Sequence, residues 1–252
     1  METIQVKLDK SKVLVMRSGG RLKNDDHEFQ YRNGQIETVA QYKYLGLILN
    51  SQGLFTQAKQ NLKQKALKAI LSVWPSICPN KVPPLGVTNQ IFNAMIKPII
   101  LYNHEIWATD LPASLQKAIM ADKNVTNEQY IKFINNSPAE QLHSKYNRMV
   151  LGVKKNTPTI AVRAELGKYP LYIDSFIAII KYWLRLCNMA KDRLVVDALE
   201  CNYHIQQQGL FTWTSVVQYF LKTSGFDYIW EQKCTANVAN FLRELTTKLK
   251  TN

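Results

Sequence analysis

The sequence has no acidic residue at all between Thr38 and His104. A solvent-exposed surface normally mixes both signs of charge, so a long stretch that carries only cations is unusual. One-signed charge suits contact with a phosphate backbone, because each neutralised phosphate releases counterions. The whole chain of 252 residues has a formal charge of +13, which favours polyanionic partners. The acid-free stretch contains these lysines: Lys43, Lys59, Lys63, Lys65, Lys68, Lys81 and Lys97.

The sequence also lacks paired cysteines and long apolar runs. Its cysteines form no C-x-x-C pair and have no histidine at metal-ligand spacing, so we expect reduced thiols in an intracellular protein, nuclear or cytoplasmic. The apolar run at residues 176–180 is broken by Lys181 and Arg185 and is too short to span a bilayer. The charged, alternating N-terminus is not typical of a signal peptide. We therefore expect no metal site and no membrane partner. The cysteines are Cys78, Cys187, Cys201 and Cys234.

The first fifty residues predict β-strands. Ile4, Val6 and Leu8 alternate with polar residues, as in a half-buried strand. Asn33-Gly34 separates two further alternating runs, and this dipeptide favours a hairpin because both residues tolerate positive φ. Residues 44–49 predict one more strand, and Gly19-Gly20 predicts a loop.

From residue 54 onward the period changes to that of amphipathic helices. The first predicted helix has its apolar stripe on Ala58, Leu62, Ala66, Ala69, Ile70 and Val73, and prolines from Pro75 onward break it. A second should cover residues 88–107 with a kink at Pro98. Ser137 to Glu140 has the form of a capping box, and helices are then expected at about 138–151, 158–166, 170–191 and 231–250.

These elements predict an α+β fold. A small β-rich segment covers residues 1–53, a helical segment covers 54–110, and a helical C-terminal region covers 137–252. Residues 111–136 are polar and weakly periodic, which indicates a linker.

Six short runs follow one another over roughly residues 5–190. They are Lys10-Ser11-Lys12 with the apolar residues after it, Tyr42-Lys43-Tyr44-Leu45-Gly46, Lys65-Ala66-Leu67-Lys68-Ala69, Lys97-Pro98-Ile99-Ile100-Leu101-Tyr102 with Glu105 and Trp107, Gly152-Val153-Lys154-Lys155 with Glu165-Leu166-Gly167 and Tyr169-Pro170, and Lys181-Tyr182-Trp183. In order and spacing they resemble the region that follows the catalytic palm in reverse transcriptases of non-LTR (LINE-type) retrotransposons. Family members usually have glycine after the tyrosine of the fourth run, where Asn103 stands here.

The resemblance implies a remnant of the palm β-structure followed by a helical thumb and a helical extension. A thumb grips the primer–template duplex, so Lys59, Lys63, Lys65 and Lys68 are expected to face phosphate, with RNA and RNA–DNA duplex as partners. A solvated lysine face on an amphipathic helix is the alternative. Lys43 belongs to the same basic set. Lys154 and Lys155, with Arg163 and Lys168 near them in sequence, form either a second phosphate patch or a helix-terminal charge favoured by the dipole.

Other residues of the six runs have two interpretations. Tyr42, Tyr44, Leu45 and Gly46 resemble the strand near the primer grip, or they form a strand with core aromatics. Trp107, Tyr182 and Trp183 favour core packing over base stacking. Glu105 and Glu165 are expected to be structural partners or caps.

The chain departs from the family in its carboxylates. A complete polymerase holds two Mg²⁺ ions on palm aspartates, marked by an aromatic-x-Asp-Asp hairpin before the lysine-containing strand. Asp25-Asp26 has no such apolar frame and predicts a solvated turn. We therefore expect no catalytic residue and no cofactor in this chain, which would be inactive by itself. The alternative function is a repurposed helical protein-interaction module, and the remainder of the polymerase or another protein would dock at an exposed palm edge.

Overall fold

The computed structural model describes residues 10–16, 28–32, 34–78, 83–121, 133–235 and 237–251. The predictions for Ile4, Val6, Leu8, Gly19-Gly20 and Asp25-Asp26 lie outside these residues, as does Lys81. The chain forms two compact units, Met1–Gln64 and Lys65–Asn252. The first contains the strands and the second is helical, so the predicted α+β class is confirmed.

The first sheet has the order β1-β3-β2. Strand β1 is Lys12–Val13, β2 is Phe29–Tyr31 and β3 is Gly34–Thr38. Strand β3 is parallel to β1 and antiparallel to β2, so the predicted hairpin is present. Gly34 belongs to β3 and not to the turn, however, because it pairs with Tyr31, and Arg32 adopts a left-handed conformation with φ of 54°.

The second sheet is a hairpin of β4, Gln41–Tyr44, and β5, Leu47–Asn50. The prediction of one strand at residues 44–49 was therefore wrong. Leu45 and Gly46 adopt φ values of 45° and 87°, which form a two-residue turn in the middle of that apolar run. Apolar character alone does not reveal such a reversal, since the expected turn residues would be asparagine and glycine.

Helix α1, Thr56–Ile77, has the predicted apolar stripe. Ala58, Leu62, Ala66 and Ile70 are all buried, at steps of four residues. Pro75 was expected to break the helix, yet the helix continues to Ile77. Ile77 is itself buried, and its burial offsets the hydrogen bond that a proline removes.

The second predicted helix is divided into four pieces: α2 is Leu85–Ile91, a π-helical turn covers Phe92–Ile96, α3 is Lys97–Ile100 and α4 is His104–Trp107. The widened π turn comes just before Pro98, whose ring would clash with a carbonyl of a regular helix. Asn103, with φ of 53°, then ends the helical path before α4.

Further helices are α5 Ala113–Met120, α6 Pro138–Leu151, α7 Thr159–Leu166, α8 Tyr172–Cys187, α9 Leu194–Gln207, α10 Trp213–Thr223, α11 Asp227–Gln232 and α12 Val238–Thr251. Helix α8 lies at the centre of the core, and Ile179, Ile180 and Trp183 are fully buried there. The single helix expected at 231–250 is interrupted at Lys233, which has φ of 52°.

The segment interpreted as a linker begins with ordered core structure. Leu111, Leu115 and Ile119 belong to the same buried cluster as α8, and the last two lie on α5. Residues 122–132 of this segment lie outside the described part of the chain.

A buried carboxylate joins three helices of the second unit. Glu140, 1% exposed, accepts a hydrogen bond of 2.6 Å from Nη2 of Arg163 and one of 3.1 Å from the backbone N–H of Tyr172. Ser137 caps α6 as predicted, because its hydroxyl accepts from the Glu140 N–H. The carboxylate of Glu140 does not complete the predicted capping box but binds α7 and the start of α8 instead.

We expect Glu140→Gln to lower the free energy of unfolding by about 3 kcal/mol, because it leaves the Arg163 guanidinium buried without a compensating charge. Urea denaturation followed by circular dichroism measures this change. The double variant Glu140→Gln with Arg163→Met removes both charges and should recover most of the loss. A single variant within 1 kcal/mol of the parent would contradict this role for the pair.

Candidate nucleic-acid interface

The tip of the β4–β5 hairpin exposes aromatic and apolar side chains. Tyr44 is 57% exposed and Leu45 is 70% exposed, and Tyr42 is exposed as well. The sequence leaves open whether these residues form a core or a contact surface. Their exposure is inconsistent with a core role in the described structure. Strand alternation places Tyr42 and Tyr44 on one face of β4 and Lys43 on the other.

The turn of this hairpin is held in a costly conformation. Leu45 and Gly46 both have positive φ, as a type I′ turn requires. Glycine adopts this conformation freely, whereas leucine in the left-handed region costs about 1–2 kcal/mol. An exposed leucine at such a position gains nothing from burial that would offset the cost.

The four lysines of α1 do not share one face. At 100° per residue, Lys59 and Lys63 lie 40° apart, and Lys65 and Lys68 lie 60° apart. The two pairs lie on opposite sides of the helix. Lys59 and Lys63 are half-buried at the border of the apolar stripe, whereas Lys65 and Lys68 are exposed. A duplex that lies along one side of α1 can therefore contact one pair only.

Lys154 and Lys155 are exposed in the turn that follows α6. Arg148 holds this turn, because Nε and Nη2 donate to the carbonyl of Thr157 at 3.1 and 2.9 Å. Arg163, expected near these lysines, is instead buried and bonded to Glu140. It is therefore not part of an exposed phosphate patch.

Several family-like residues have structural roles. Trp107 and Trp183 are buried, and Tyr182 packs edge-on against Trp213 with ring centroids 6.0 Å apart, as the core interpretation predicts. The backbone carbonyl of Tyr102 accepts a 2.7 Å bond from the Trp107 indole. Lys12 pairs with Glu37, directly opposite it on β3. Lys10, Glu165 and Pro98 are exposed, Glu105 is half-buried, and Leu166 is half-buried at the end of α7.

Residues of two separate runs line one cavity in the second unit. The cavity has a volume of about 240 Å³. Lys97 comes from the fourth run, and Gly167, Tyr169 and Pro170 come from the fifth. Other lining side chains are His143 of α6, Lys168, Asp174 of α8 and Lys250 of α12. The sequence does not predict this convergence, which depends on four elements that are distant along the chain.

The backbone around Gly167 places Lys168 at the cavity. Gly167 has φ of 60° and ends α7, and the N–H of Lys168 donates to the carbonyl of Arg163 at 2.8 Å. This left-handed glycine with a bond reaching back over five residues is a common helix stop. The same turn directs Tyr169, 49% exposed, towards the outside, where Nζ of Lys250 lies 4.8 Å from its ring centroid.

The cavity holds three lysines and one aspartate. Lys97 donates to Asp174 at 2.8 Å. Burial lowers the pKa of Lys168, and the charge of Lys97 lowers it further. Two ammonium groups thus repel each other across a concave surface that is partly removed from water.

No protein-family model, curated protein or solved structure matches this chain. Within the described ranges, the His, Cys, Asp and Glu side chains form no group of three or more that could hold a metal ion. The four cysteines are free. Among the helices that the structure describes, none combines the length and apolarity that crossing a membrane requires.

We expect Leu45→Asn to raise the free energy of unfolding by about 1 kcal/mol, because asparagine tolerates the left-handed conformation that leucine adopts at a cost. Thermal and urea unfolding measure the difference. Leu45→Ala is the matched control, since alanine shortens the side chain but keeps the strain. Equal stabilities of the asparagine and alanine variants would show that the turn is not strained.

We expect His104 to make the free energy of unfolding decrease as the pH is lowered. Burial lowers the pKa of His104 below its usual 6.5, Lys97 adds to this effect, and Glu105 and Asp174 oppose it. Below about pH 6.5 the unfolded chain therefore binds more protons at this residue than the folded chain does, so the free energy of unfolding should decrease from pH 7 to pH 5. His104→Gln should flatten that dependence, and His204→Gln, at an exposed histidine, should not. An unchanged slope in His104→Gln would contradict the assignment.

Proposed function

We propose that this chain binds primer–template nucleic acid, as the duplex-holding part of a non-LTR retrotransposon RNA-directed DNA polymerase. The observation that carries the proposal is the charge of α1. This helix of 22 residues has four lysines and no acidic residue, and Lys65 and Lys68 are exposed. Lysine is a point charge without base preference, which suits a protein that must hold any template.

The charge of α1 is also unfavourable for the helix itself. Acidic residues in the first turn interact well with the positive end of the helix dipole, and α1 has none there. Lys59 occupies that turn instead. The positive end of the α1 dipole thus carries a further cation, which would favour an anion bound there.

The β4–β5 hairpin supports the same function by a different interaction. Exposed Tyr42 and Tyr44 share one face of β4. Aromatic rings stack on nucleobases with about 1–3 kcal/mol per base, whatever the base. This accounts for a strained turn that exposes Leu45 at its tip, since strain at a surface site is often kept for a contact.

In this proposal the chain holds the primer–template duplex, and other residues of a complete polymerase catalyse DNA synthesis. Two Mg²⁺ ions on palm carboxylates would activate the primer hydroxyl and stabilise the leaving pyrophosphate there. The partners proposed are RNA, RNA–DNA duplex and the remainder of the polymerase, in the nucleus or cytoplasm.

We expect Lys65→Gln with Lys68→Gln to weaken binding to an RNA–DNA hybrid and to make it less dependent on salt. Each lost phosphate contact reduces the slope of log affinity against log salt by about 0.9, so the pair should reduce it by about 2. Fluorescence anisotropy between 50 and 200 mM salt measures the slope. The parent should lose roughly 10-fold more affinity over this range than the variant does.

Two further variants make the test specific. Lys59→Gln with Lys63→Gln removes the pair on the opposite side of α1, and Lys181→Gln with Arg185→Gln removes two exposed cations of α8. We expect the α8 variant to leave the slope unchanged. Equal slopes in the parent and all three variants would reject α1 as the contact. Binding that is independent of salt would instead indicate the protein-interaction module.

A further inference from the structure

The lysine-lined cavity of the second unit differs from the open basic surfaces in shape and in charge. Its basic side chains are Lys97, Lys168 and Lys250, against a single carboxylate, Asp174. Asp174 already pairs with Lys97. Lys168 forms no ion pair with any residue that the structure describes, although it lies within the electrostatic reach of Lys97. This concave site therefore has an excess of positive charge over the carboxylates that line it among the described residues.

A buried histidine adds a second unsatisfied polar group. His143 is 2% exposed, lines the cavity and stacks on Phe92 with ring centroids 4.9 Å apart. Its Nδ1 lies 3.5 Å from Oε2 of Glu140, within ion-pair range, but forms no hydrogen bond among the described residues. A buried ring nitrogen without a hydrogen bond costs free energy.

The dimensions of the cavity favour a terminal group over a continuous backbone. A volume of about 240 Å³ is below the usual size of a pocket for a drug-sized ligand. A duplex presents its phosphates on a convex surface and cannot enter such a cavity, whereas the phosphate at a strand end or on a single nucleotide can. Tyr169 at the rim is 49% exposed, and its ring, which Nζ of Lys250 approaches to 4.8 Å from the centroid, offers an aromatic surface to the attached nucleoside.

We propose that this cavity binds a phosphate monoester carried by a nucleoside, with the phosphate between Lys97 and Lys168 and the nucleoside against Tyr169. The dianion neutralises two ammonium groups that otherwise repel each other, and it competes with Asp174 for Lys97. The inference uses a different surface from α1 and does not depend on the holding of a duplex.

The test compares two short single-stranded oligonucleotides that differ only in a 5′-phosphate or a 5′-hydroxyl, bound to the full chain. We expect the phosphorylated strand to bind roughly 10-fold tighter or more, because its terminal phosphate accepts charge-assisted hydrogen bonds from ammonium groups that the 5′-hydroxyl cannot match. Lys168→Gln should abolish this preference, and Lys191→Gln, at an exposed lysine outside the cavity, should keep it. Equal binding of the two strands, or a preference that survives Lys168→Gln, overturns the proposal.

A second variant, which removes a negative charge from the cavity instead of a positive one, controls for loss of folding. Asp174→Asn removes the carboxylate that competes with the ligand, so we expect it to strengthen the preference for the phosphorylated strand while Lys168→Gln weakens it. Loss of the preference in both variants would indicate a structural role of these residues and would overturn the proposal.

Two more measurements are needed. One distinguishes a free nucleotide from a strand end as the ligand, and the other distinguishes phosphate binding in the cavity from duplex binding at α1. Adenosine 5′-monophosphate and inorganic phosphate are titrated as competitors. Competition by the nucleotide at the affinity of the strand indicates a free nucleotide as ligand, whereas much weaker competition indicates a strand end. The Lys65→Gln, Lys68→Gln variant should keep the preference for phosphate even where it loses duplex binding, so failure of one function leaves the other measurable.

Discussion

Glu140 connects α6, α7 and α8, and the segment between α7 and α8 lines part of the lysine-lined cavity. The residue lies on α6, receives the Arg163 side chain from α7 and receives the Tyr172 amide at the start of α8. These bonds hold both ends of the segment that contains Lys168 and Tyr169. Because a buried carboxylate is unfavourable without such partners, the three helices can move apart only at a large cost. The part of the cavity that Lys168 and Tyr169 line is therefore held in place, which favours binding of a ligand there.

Left-handed backbone positions explain several residues that the retrotransposon resemblance emphasises. Gly46 turns the β4–β5 hairpin and Gly167 ends α7, both with positive φ. Asn103 stands where the family usually has glycine, and it also adopts positive φ, at 53°. Asparagine is among the few residues besides glycine that tolerate this conformation. The backbone path into α4 therefore depends on a residue that tolerates positive φ at position 103.

The sequence predicted most of the helices because their signals are local. The stripe of α1, the cap at Ser137 and the stops at Gly152 and Gly167 each depend on residues within a few positions of one another. The division of residues 44–49 into a hairpin and the π turn before Pro98 depend on backbone choices that apolar periodicity does not encode. The cavity was not predictable, since it joins the π turn, α6, the α7–α8 connection and α12 through packing.

The two basic surfaces of the second unit differ in how strongly solvent and salt screen their charges. Lys65 and Lys68 are exposed, so any contact that they made with phosphate would be screened by salt and would carry little information about the ligand. Lys97 and Lys168 both line a partly desolvated cavity, where each charge acts through a lower effective dielectric and is screened less. A surface of the first kind provides affinity for any nucleic acid. A cavity of the second kind distinguishes ligands by charge and shape, so a single basic chain can hold a long polyanion without choosing it and still select the group at its end.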